Sequence, residues 1–211
     1  GGLGPVLARW MVQRGARHVA LVGRHVRKDS GAFQEIEAQG AQVHHLQGDV
    51  SDEGTMSSLL RALEASAPPL GGHAAADLSA APIVDLTEQA ISRMLRPKVH
   101  GTMVLERLTR SMPLDFLLLF STTTAVLGAA GLAHYAAANT FLDAVARRLD
   151  RPERRVVSVN WGLWDVMRLA SAEQQRMYRD GGLHTMSTPE ALNALEHVLA
   201  GDHANSVIAR V

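Results

Sequence analysis

Two neighbouring segments in the middle of the chain carry side chains that can move a proton. Ser121 and Thr122 end an apolar run, and Tyr135 and Asn139 follow within a helical pattern. Because Tyr135 and Asn139 are four residues apart, a helix projects both side chains from the same face. Lys98 lies upstream and adds an ammonium. A hydroxyl, a phenol, an amide and an ammonium can together deliver a proton to a carbonyl oxygen, which is half of a carbonyl reduction.

The same side chains have ordinary structural interpretations. Tyr135 could be a core tyrosine on an amphipathic helix, and Lys98 could be an exposed lysine with a solvated head. However, Lys28 and Lys98 are the only lysines of the chain, and four matched side-chain types occur at compatible positions. We therefore favour the chemical interpretation. An ammonium beside a phenol stabilises the phenolate, so we expect Lys98 to lower the pKa of Tyr135.

The elements that must position these residues follow from the apolar pattern. Short β-branched or apolar runs predict strands at 19–22, 43–46, 116–120, 156–159 and 207–209, and the alternation predicts another strand near His73. Helical patterns lie at 7–13, 32–38, 56–65, 88–111, 134–148 and 189–200. Continuous apolar strands separated by helices predict an α/β fold, a Rossmann-like doubly wound parallel sheet flanked by helices.

Two details of the helices are also predicted. Pro97 lies inside the 88–111 pattern and should kink that helix, because proline has no N–H to donate. Thr188 is the expected N-cap of the last helix, with Pro189 at its first helical position. After the 156–159 strand, a mixed segment at 165–186 could form a helical lid over a substrate, or a peripheral packing helix.

A glycine-rich start suggests where a nucleotide would bind. Gly1, Gly2, Leu3 and Gly4 run directly into a helix. Glycines there let the backbone approach a pyrophosphate, and the helix N-terminus supplies N–H donors; the alternative is a frayed terminus. Arg24 closes the following strand where an acidic residue would bind a ribose 2′-hydroxyl. A guanidinium suits a 2′-phosphate instead, which favours NADPH over NADH; a solvated basic loop is the alternative.

Further candidate cofactor residues follow the next two strands. Asp49 and Val50 come after the 43–46 strand, and Asp49 could bond an adenine amino group or cap the next helix. His73, Ala74 and Ala75 place small residues near a strand end, which leaves room for a nicotinamide ribose. Tight core packing explains the small residues equally well, so this pattern alone does not decide.

A tryptophan-rich loop follows the 156–159 strand. Its residues Trp161, Gly162, Leu163 and Trp164 are candidate substrate contacts, with Trp164 as a wall of the site. Ser121 is a further candidate contact, since its hydroxyl could stand in for that of Thr122.

Composition narrows the function classes. The chain has 211 residues, 46% apolar and 20% charged, with a formal net charge of zero. Net neutrality gives no reason to expect nucleic acid or an anionic membrane as a partner. No apolar run approaches the ~20 residues that span a bilayer, and there is no cysteine. We expect a cytoplasmic protein without a metal site.

Taken together, the motifs resemble the catalytic half of a ketoreductase domain from a modular polyketide synthase, within the short-chain dehydrogenase/reductase superfamily. The markers are the Gly-Gly-Leu-Gly start and the segments 97–101, 120–122, 135–144 and 160–164. The resemblance implies that Tyr135 is the proton donor, that Lys98 and Asn139 support it and a proton relay, and that Thr122 occupies the position of the family's catalytic serine. It also implies NADPH as cofactor and a β-ketoacyl chain on an acyl carrier protein as substrate.

Other features of the chain differ from that family pattern. A threonine replaces the serine at Thr122, and residues 78–80 lack the Leu-Asp-Asp marker of one product configuration. Leu127 replaces the tryptophan marker of the opposite class. Relative to the family, we expect the chain to lack its first strand and the N-terminal structural half. The expected partners are this N-terminal structural subdomain and neighbouring synthase domains. Two alternatives remain at this stage: a catalytically silent scaffold element of a megasynthase, and a free-standing short-chain carbonyl reductase.

Overall fold

The structure is a computed structural model that describes residues 2–25, 31–64, 71–73, 80–166, 176 and 178–211. Parallel strands alternate with helices, as the sequence predicts. The strands are β1 (His18–Gly23), β2 (Gln42–Gln47), β3 (Gly71–His73), β4 (Phe116–Thr122), β5 (Arg155–Trp161) and β6 (Asn205–Ile208). The helices are α1 (Leu3–Gln13), α2 (Gly31–Ala38), α3 (Glu53–Glu64), α4 (Glu88–Leu95), α5 (Gly101–Thr109), α6 (Thr124–Leu127), α7 (Ala133–Leu149) and α8 (Thr188–Ala200).

The described strands form two parallel sheets, one of β1 and β2 and the other in the order β3-β4-β5-β6. Helix α1 packs against both sheets. Its Ala8 and Val12 belong to a core cluster with Val19 of β1, whereas its Trp10 packs in a cluster with Phe120 of β4. Because every strand pair is parallel, the carboxyl ends of the strands in each sheet lie at one edge, where ligands bind in this class of fold.

Strand β4 is buried on both faces, which explains its continuous apolar run. Leu118 and Phe120 face the cluster that contains Trp10. Leu117 and Leu119 face a second cluster, built with residues of α7. Alternation along a strand sends successive side chains to opposite faces, so helices must cover both faces of this sheet.

The helical pattern at 88–111 is divided into three pieces. A π-helical turn, Arg96–His100, separates α4 from α5, and the backbone N–H of Gly101 donates to the carbonyl of Arg96, five residues earlier. Pro97 has no N–H, so the regular helical ladder cannot continue through it. The predicted distortion at Pro97 therefore takes the form of a widened turn, and this turn carries the buried Lys98, which is 3% exposed.

The start of α8 differs from the sequence prediction by one residue. Ser187, rather than Thr188, is the N-cap: its hydroxyl accepts from the backbone N–H of Glu190, and the Glu190 carboxylate accepts from the backbone N–H of Ser187. This reciprocal capping box satisfies two N–H groups that the helix leaves unpaired. Thr188 instead donates its hydroxyl to Asp165 at 2.5 Å. Within the described part of the chain, no helix has the length and apolar character needed to cross a bilayer.

Candidate active site

The four predicted catalytic residues come from three elements and meet at the carboxyl edge of the second sheet. Thr122 is the last residue of β4, and Tyr135 lies in the first turn of α7 with Asn139 one turn later. Lys98 reaches them from the π-helical turn: its Nζ donates to the carbonyl of Phe120 at 2.8 Å and lies 5.9 Å from the centroid of the Tyr135 ring.

The environment of the Tyr135 phenol corrects one expectation. Burial, with a smaller contribution from the nearby Tyr178 phenol, raises the pKa of Tyr135 to about 12. The Thr122 hydroxyl and the Asn139 side chain act in the opposite direction, since they stabilise the ionised phenol. The pKa of Tyr135 is therefore raised, not lowered as predicted from the neighbouring Lys98. Tyr135 is therefore protonated at neutral pH, the form that a proton donor needs.

Burial also shifts the pKa of the lysine. It lowers the pKa of Lys98 to about 7, and the carboxylate of Asp143 partly offsets this by favouring the ammonium. Near neutral pH, Lys98 therefore exists in both protonation states. A group in this condition can accept and return a proton with little change in free energy.

Asn139 is held rigidly but keeps one unpaired atom. Its Nδ2 donates to the backbone carbonyl of Tyr135 at 2.7 Å, and the side chain is fully buried. Its Oδ1 has no hydrogen-bond partner within the described residues. A buried acceptor without a donor is costly, so this atom is suited to a water or to a hydroxyl group of a bound ligand.

The Ser121 hydroxyl is engaged in a buried hydrogen-bond network. Ser121 shares the α7 face of β4 with Leu117 and Leu119, and its Oγ accepts from Asn160 Nδ2 at 2.9 Å. Asn160 Nδ2 also donates to Asp143, whose other oxygen accepts from the Ser158 hydroxyl at 2.6 Å. The geometry therefore gives Ser121 a place in a buried network and leaves Thr122 as the hydroxyl beside Tyr135.

Two hydroxyl groups at the site were missed by the sequence reasoning. Thr124 Oγ1 lies 3.4 Å from Thr122 Oγ1, and Tyr178 places its phenol oxygen 3.1 Å from Thr124 Oγ1. The signals that could have found them are the uninterrupted threonine run at 122–124 and the fact that Tyr178 is one of only two tyrosines.

The tryptophans of the predicted substrate loop pack in the core. Trp161 and Trp164 are 3% and 2% exposed, and their rings meet edge to face with centroids 4.6 Å apart. Leu163 is half-buried, and Gly162 passes close to Ala209, where a Cβ would approach within 3.3 Å. Substrate contact by this loop stays a prediction, and the burial of both indoles does not favour it.

The candidate nucleotide-binding residues lie after β1 and β2 and at the start of α1. Gly2 is the N-cap of α1 and makes no side-chain cap, and a Cβ on it would lie 2.9 Å from the carbonyl oxygen of Val166. Arg24 is exposed and close enough to Asp49 to lower the pKa of that carboxyl, although the main cause is hydrogen bonds from Ser51.

Other candidates are only partly described. Leu3 and Gly4 lie in the first turn of α1, and Val50 lies in a turn before α3. His73 ends β3, beside Leu119 of β4. Gly1, Ala74 and Ala75, together with residues 167–175 and 177 of the predicted lid at 165–186, lie outside the described residues; Tyr178–Asp180 of that segment are helical.

The Asp49 carboxylate has hydrogen-bond and ion-pair partners within the protein. Its Oδ1 accepts from the backbone N–H and the hydroxyl of Ser51, at 2.9 and 2.6 Å. Its Oδ2 lies 3.8 Å from the Arg96 guanidinium. Part of the carboxylate is therefore engaged in holding the turn before α3, and contact with an adenine stays a prediction.

Together, the doubly wound fold and the Tyr–Lys–Asn–Thr group at its sheet edge define a Rossmann-like oxidoreductase. A model of the KR domain family matches residues 1–166. The chain belongs to this family of ketone-reducing domains.

Relatives and solved structures agree with this assignment. Erythronolide synthase EryA3 from Saccharopolyspora erythraea is 36% identical over 217 residues, covering 100% of the chain and 7% of that synthase. A ketoreductase from the first module of phoslactomycin biosynthesis in Streptomyces sp. HK803 superimposes with a TM-score of 0.90 at 33% identity, covering 99% of the chain and 50% of that structure. An A-type ketoreductase from a modular polyketide synthase gives a TM-score of 0.91 at 32% identity, with coverages of 100% and 46%.

Proposed function

We propose that this chain catalyses the NADPH-dependent reduction of a β-ketoacyl group, carried by an acyl carrier protein, to the β-hydroxyacyl product. Membership of a ketone-reducing family supports the reaction type. The observation that carries the proposal is the arrangement around the Tyr135 phenol. Thr122 and Asn139 flank this phenol, and Lys98 lies behind its ring.

The residues present fit a nicotinamide dinucleotide. The uncapped start of α1 at Gly2 offers backbone N–H groups that can donate to a pyrophosphate. Arg24 supplies a guanidinium for a 2′-phosphate, and the unpaired Oδ1 of the buried Asn139 can accept from a ribose hydroxyl or a relay water. When bound, NADPH supplies the hydride for the carbonyl carbon.

The side chains supply the proton and the orientation. Thr122 donates a hydrogen bond to the ketone oxygen and so fixes its position beside Tyr135. Tyr135 then gives its proton to that oxygen as negative charge develops there. Lys98, whose pKa is about 7, returns a proton to the phenol, with Asn139 holding the path between them.

The partners follow from the same assignment. The matched relatives are multidomain synthases, and the chain spans 7% of EryA3 and about half of each of the two ketoreductase structures described above. We propose an acyl carrier protein, an N-terminal structural subdomain and neighbouring synthase domains as its partners. We also propose that the protein acts in the cytoplasm. No described observation favours the silent scaffold element or the free-standing carbonyl reductase.

A direct assay tests this function. The intact protein is supplied with a β-ketoacyl group on a carrier protein and with either NADPH or NADH. The expected result is a β-hydroxyacyl product, detected by mass, formed faster with NADPH. Absence of product with both cofactors, from protein that binds NADPH, would contradict the proposal.

A further inference from the structure

Three hydroxyl groups form a continuous chain that ends at the residue predicted to orient the substrate. The Tyr178 phenol oxygen lies 3.1 Å from Thr124 Oγ1. Thr124 Oγ1 lies 3.4 Å from Thr122 Oγ1, and the backbone N–H of Thr124 donates to the same Thr122 oxygen at 3.3 Å. Thr122 and Thr124 are 7% and 1% exposed, so bulk water competes little for these groups.

Backbone hydrogen bonds hold the segment that carries Tyr178 in place. The backbone carbonyl of Tyr178 accepts from the N–H of Leu183 at 2.8 Å, and Leu183 is itself buried. A few residues later, the N–H of Met186 donates to the carbonyl of Leu163 at 2.8 Å. These bonds tie the segment that carries Tyr178 to the loop after β5, so the phenol has a defined position at the sheet edge.

The chemistry of the three hydroxyl groups determines which of them donates each hydrogen bond. A threonine hydroxyl donates one hydrogen bond and can accept two, and its hydrogen rotates to the best acceptor. In the structure, Thr122 donates toward Thr124. A phenol is more acidic than an aliphatic alcohol, so Tyr178 is the stronger donor at its end of the chain. When Tyr178 donates to Thr124, the Thr124 hydrogen can turn to Thr122, which frees the Thr122 hydrogen for another acceptor.

We propose that Tyr178 is a positioning residue for ketone reduction: acting through Thr124, it directs the Thr122 hydroxyl hydrogen toward the substrate's ketone oxygen. This inference rests on the proposed function, because it names how one member of that site is oriented. Tyr178 also lies close enough to Tyr135 for its phenol to contribute to the raised pKa of Tyr135.

The first test compares two single variants of the intact protein. Tyr178→Phe and Thr124→Val each remove one hydroxyl of the chain and keep most of the side-chain volume. Each should lower kcat on a diffusible β-ketoacyl thioester roughly tenfold, the effect of one hydrogen bond, while the Kd for NADPH stays unchanged. Thr123→Val is the matched control, because the hydroxyl of this buried threonine bonds to the Trp161 carbonyl instead. A wild-type kcat in Tyr178→Phe overturns the proposal.

A second comparison separates positioning from a general structural effect. In a Thr122→Val background, Tyr178 and Thr124 have no Thr122 hydroxyl to direct. Adding Tyr178→Phe should therefore cause no further loss of activity. A second tenfold loss in that background would show that Tyr178 acts by another route and would overturn the proposal.

The last readout does not depend on activity. In protein labelled with ¹³C at tyrosine Cζ, with signals assigned through Tyr135→Phe and Tyr178→Phe, Thr124→Val should move the Tyr178 signal and Thr123→Val should not. An unmoved signal overturns the hydrogen-bond chain itself. Absence of ketone reduction together with a moved signal overturns the proposed function, and the positioning role with it.

Discussion

Opposing effects act on the pKa of the Tyr135 phenol. Burial and the neighbouring Tyr178 disfavour its ionised form, whereas Thr122 and Asn139 favour it, and burial dominates. The proton is therefore held firmly until a stronger acceptor develops. A ketone oxygen that is gaining negative charge is such an acceptor, and hydrogen bonds that already point at it lower the barrier for transfer.

The Thr122 hydroxyl should account for much of that stabilisation. Thr122→Val removes the hydroxyl with little change in shape, and we expect kcat to fall about a hundredfold, as for loss of one donor at a developing oxyanion. Thr122→Ser keeps the hydroxyl and should remain within a few-fold of wild type. Steady-state kinetics with NADPH and a β-ketoacyl thioester measure both. Equal activity of the valine and serine variants would contradict the role.

Lys98 predicts how stability changes with pH. The pKa of Lys98 falls from 10.5 to about 7 on burial, so between these values the unfolded chain binds more protons than the folded protein. The cost of burying the ammonium is full below pH 7 and disappears as the pH rises through this window. The free energy of unfolding should therefore rise by at most about 1.4 kcal/mol per pH unit.

Urea unfolding at several pH values between 7 and 9 measures this slope. The matched control is Lys98→Met, which has no titrating group at the position and should lack the contribution. Parallel curves for wild type and Lys98→Met would contradict the buried, weakly basic lysine.

Among the secondary-structure elements, α7 and β5 are joined by polar groups beneath the site. Asp143 of α7 accepts from Ser158 and Asn160 of β5, at 2.6 and 2.8 Å, and Asn160 reaches Ser121 of β4. This network ties the helix that carries Tyr135 to the strand ends, so it fixes the distance between the phenol and the hydroxyl of β4.

Asp143→Asn should weaken that connection. The new amide presents an NH₂ group to either Asn160 Nδ2 or Ser158, so an acceptor is lost where a donor points. We expect the free energy of unfolding to fall by about 1–3 kcal/mol, measured by urea denaturation at pH 8. Thr140→Val on the exposed side of α7 is the control. An unchanged midpoint in Asp143→Asn would show that the network does not stabilise the fold.

The elements were largely predictable, and the exceptions have physical causes. The predicted strands and helices agree with the structure because their apolar periods are clear. The π-helical turn at Arg96–His100 could not be predicted, since proline indicates a distortion but not which ladder replaces the lost bond. The N-cap of α8 was wrong by one residue because Ser187 and Thr188 are both good caps, and only the reciprocal bond with Glu190 decides between them.

For the molecule as a whole, the residues proposed to bind the cofactor and those proposed for catalysis follow strands of different sheets. Arg24 and Asp49 follow the strands of the first sheet, whereas Thr122 follows a strand of the second, with α1 packed against both. The side chains proposed for catalysis could be named from the sequence. The role proposed for Tyr178 could not be predicted from the sequence, because its contact with Thr124 joins residues 54 positions apart.

The first sheet should determine which cofactor is preferred. Arg24→Ala removes the exposed guanidinium proposed to bind the 2′-phosphate, so the Kd for NADPH should rise roughly tenfold, as for loss of one charge-assisted contact. The Kd for NADH should not change, because NADH has no 2′-phosphate. Fluorescence titration of both cofactors measures the two constants. An equal rise for both would indicate a general disturbance of the loop.

Proton donation by Tyr135 is the central claim, and a single variant tests it most directly. In Tyr135→Phe the ring stays and only the hydroxyl is lost. Turnover of a β-ketoacyl thioester should fall about a thousandfold, the scale of general acid catalysis, while fluorescence titration should give a Kd for NADPH within about twofold of wild type. Retained turnover, with NADPH bound as before, would contradict the account.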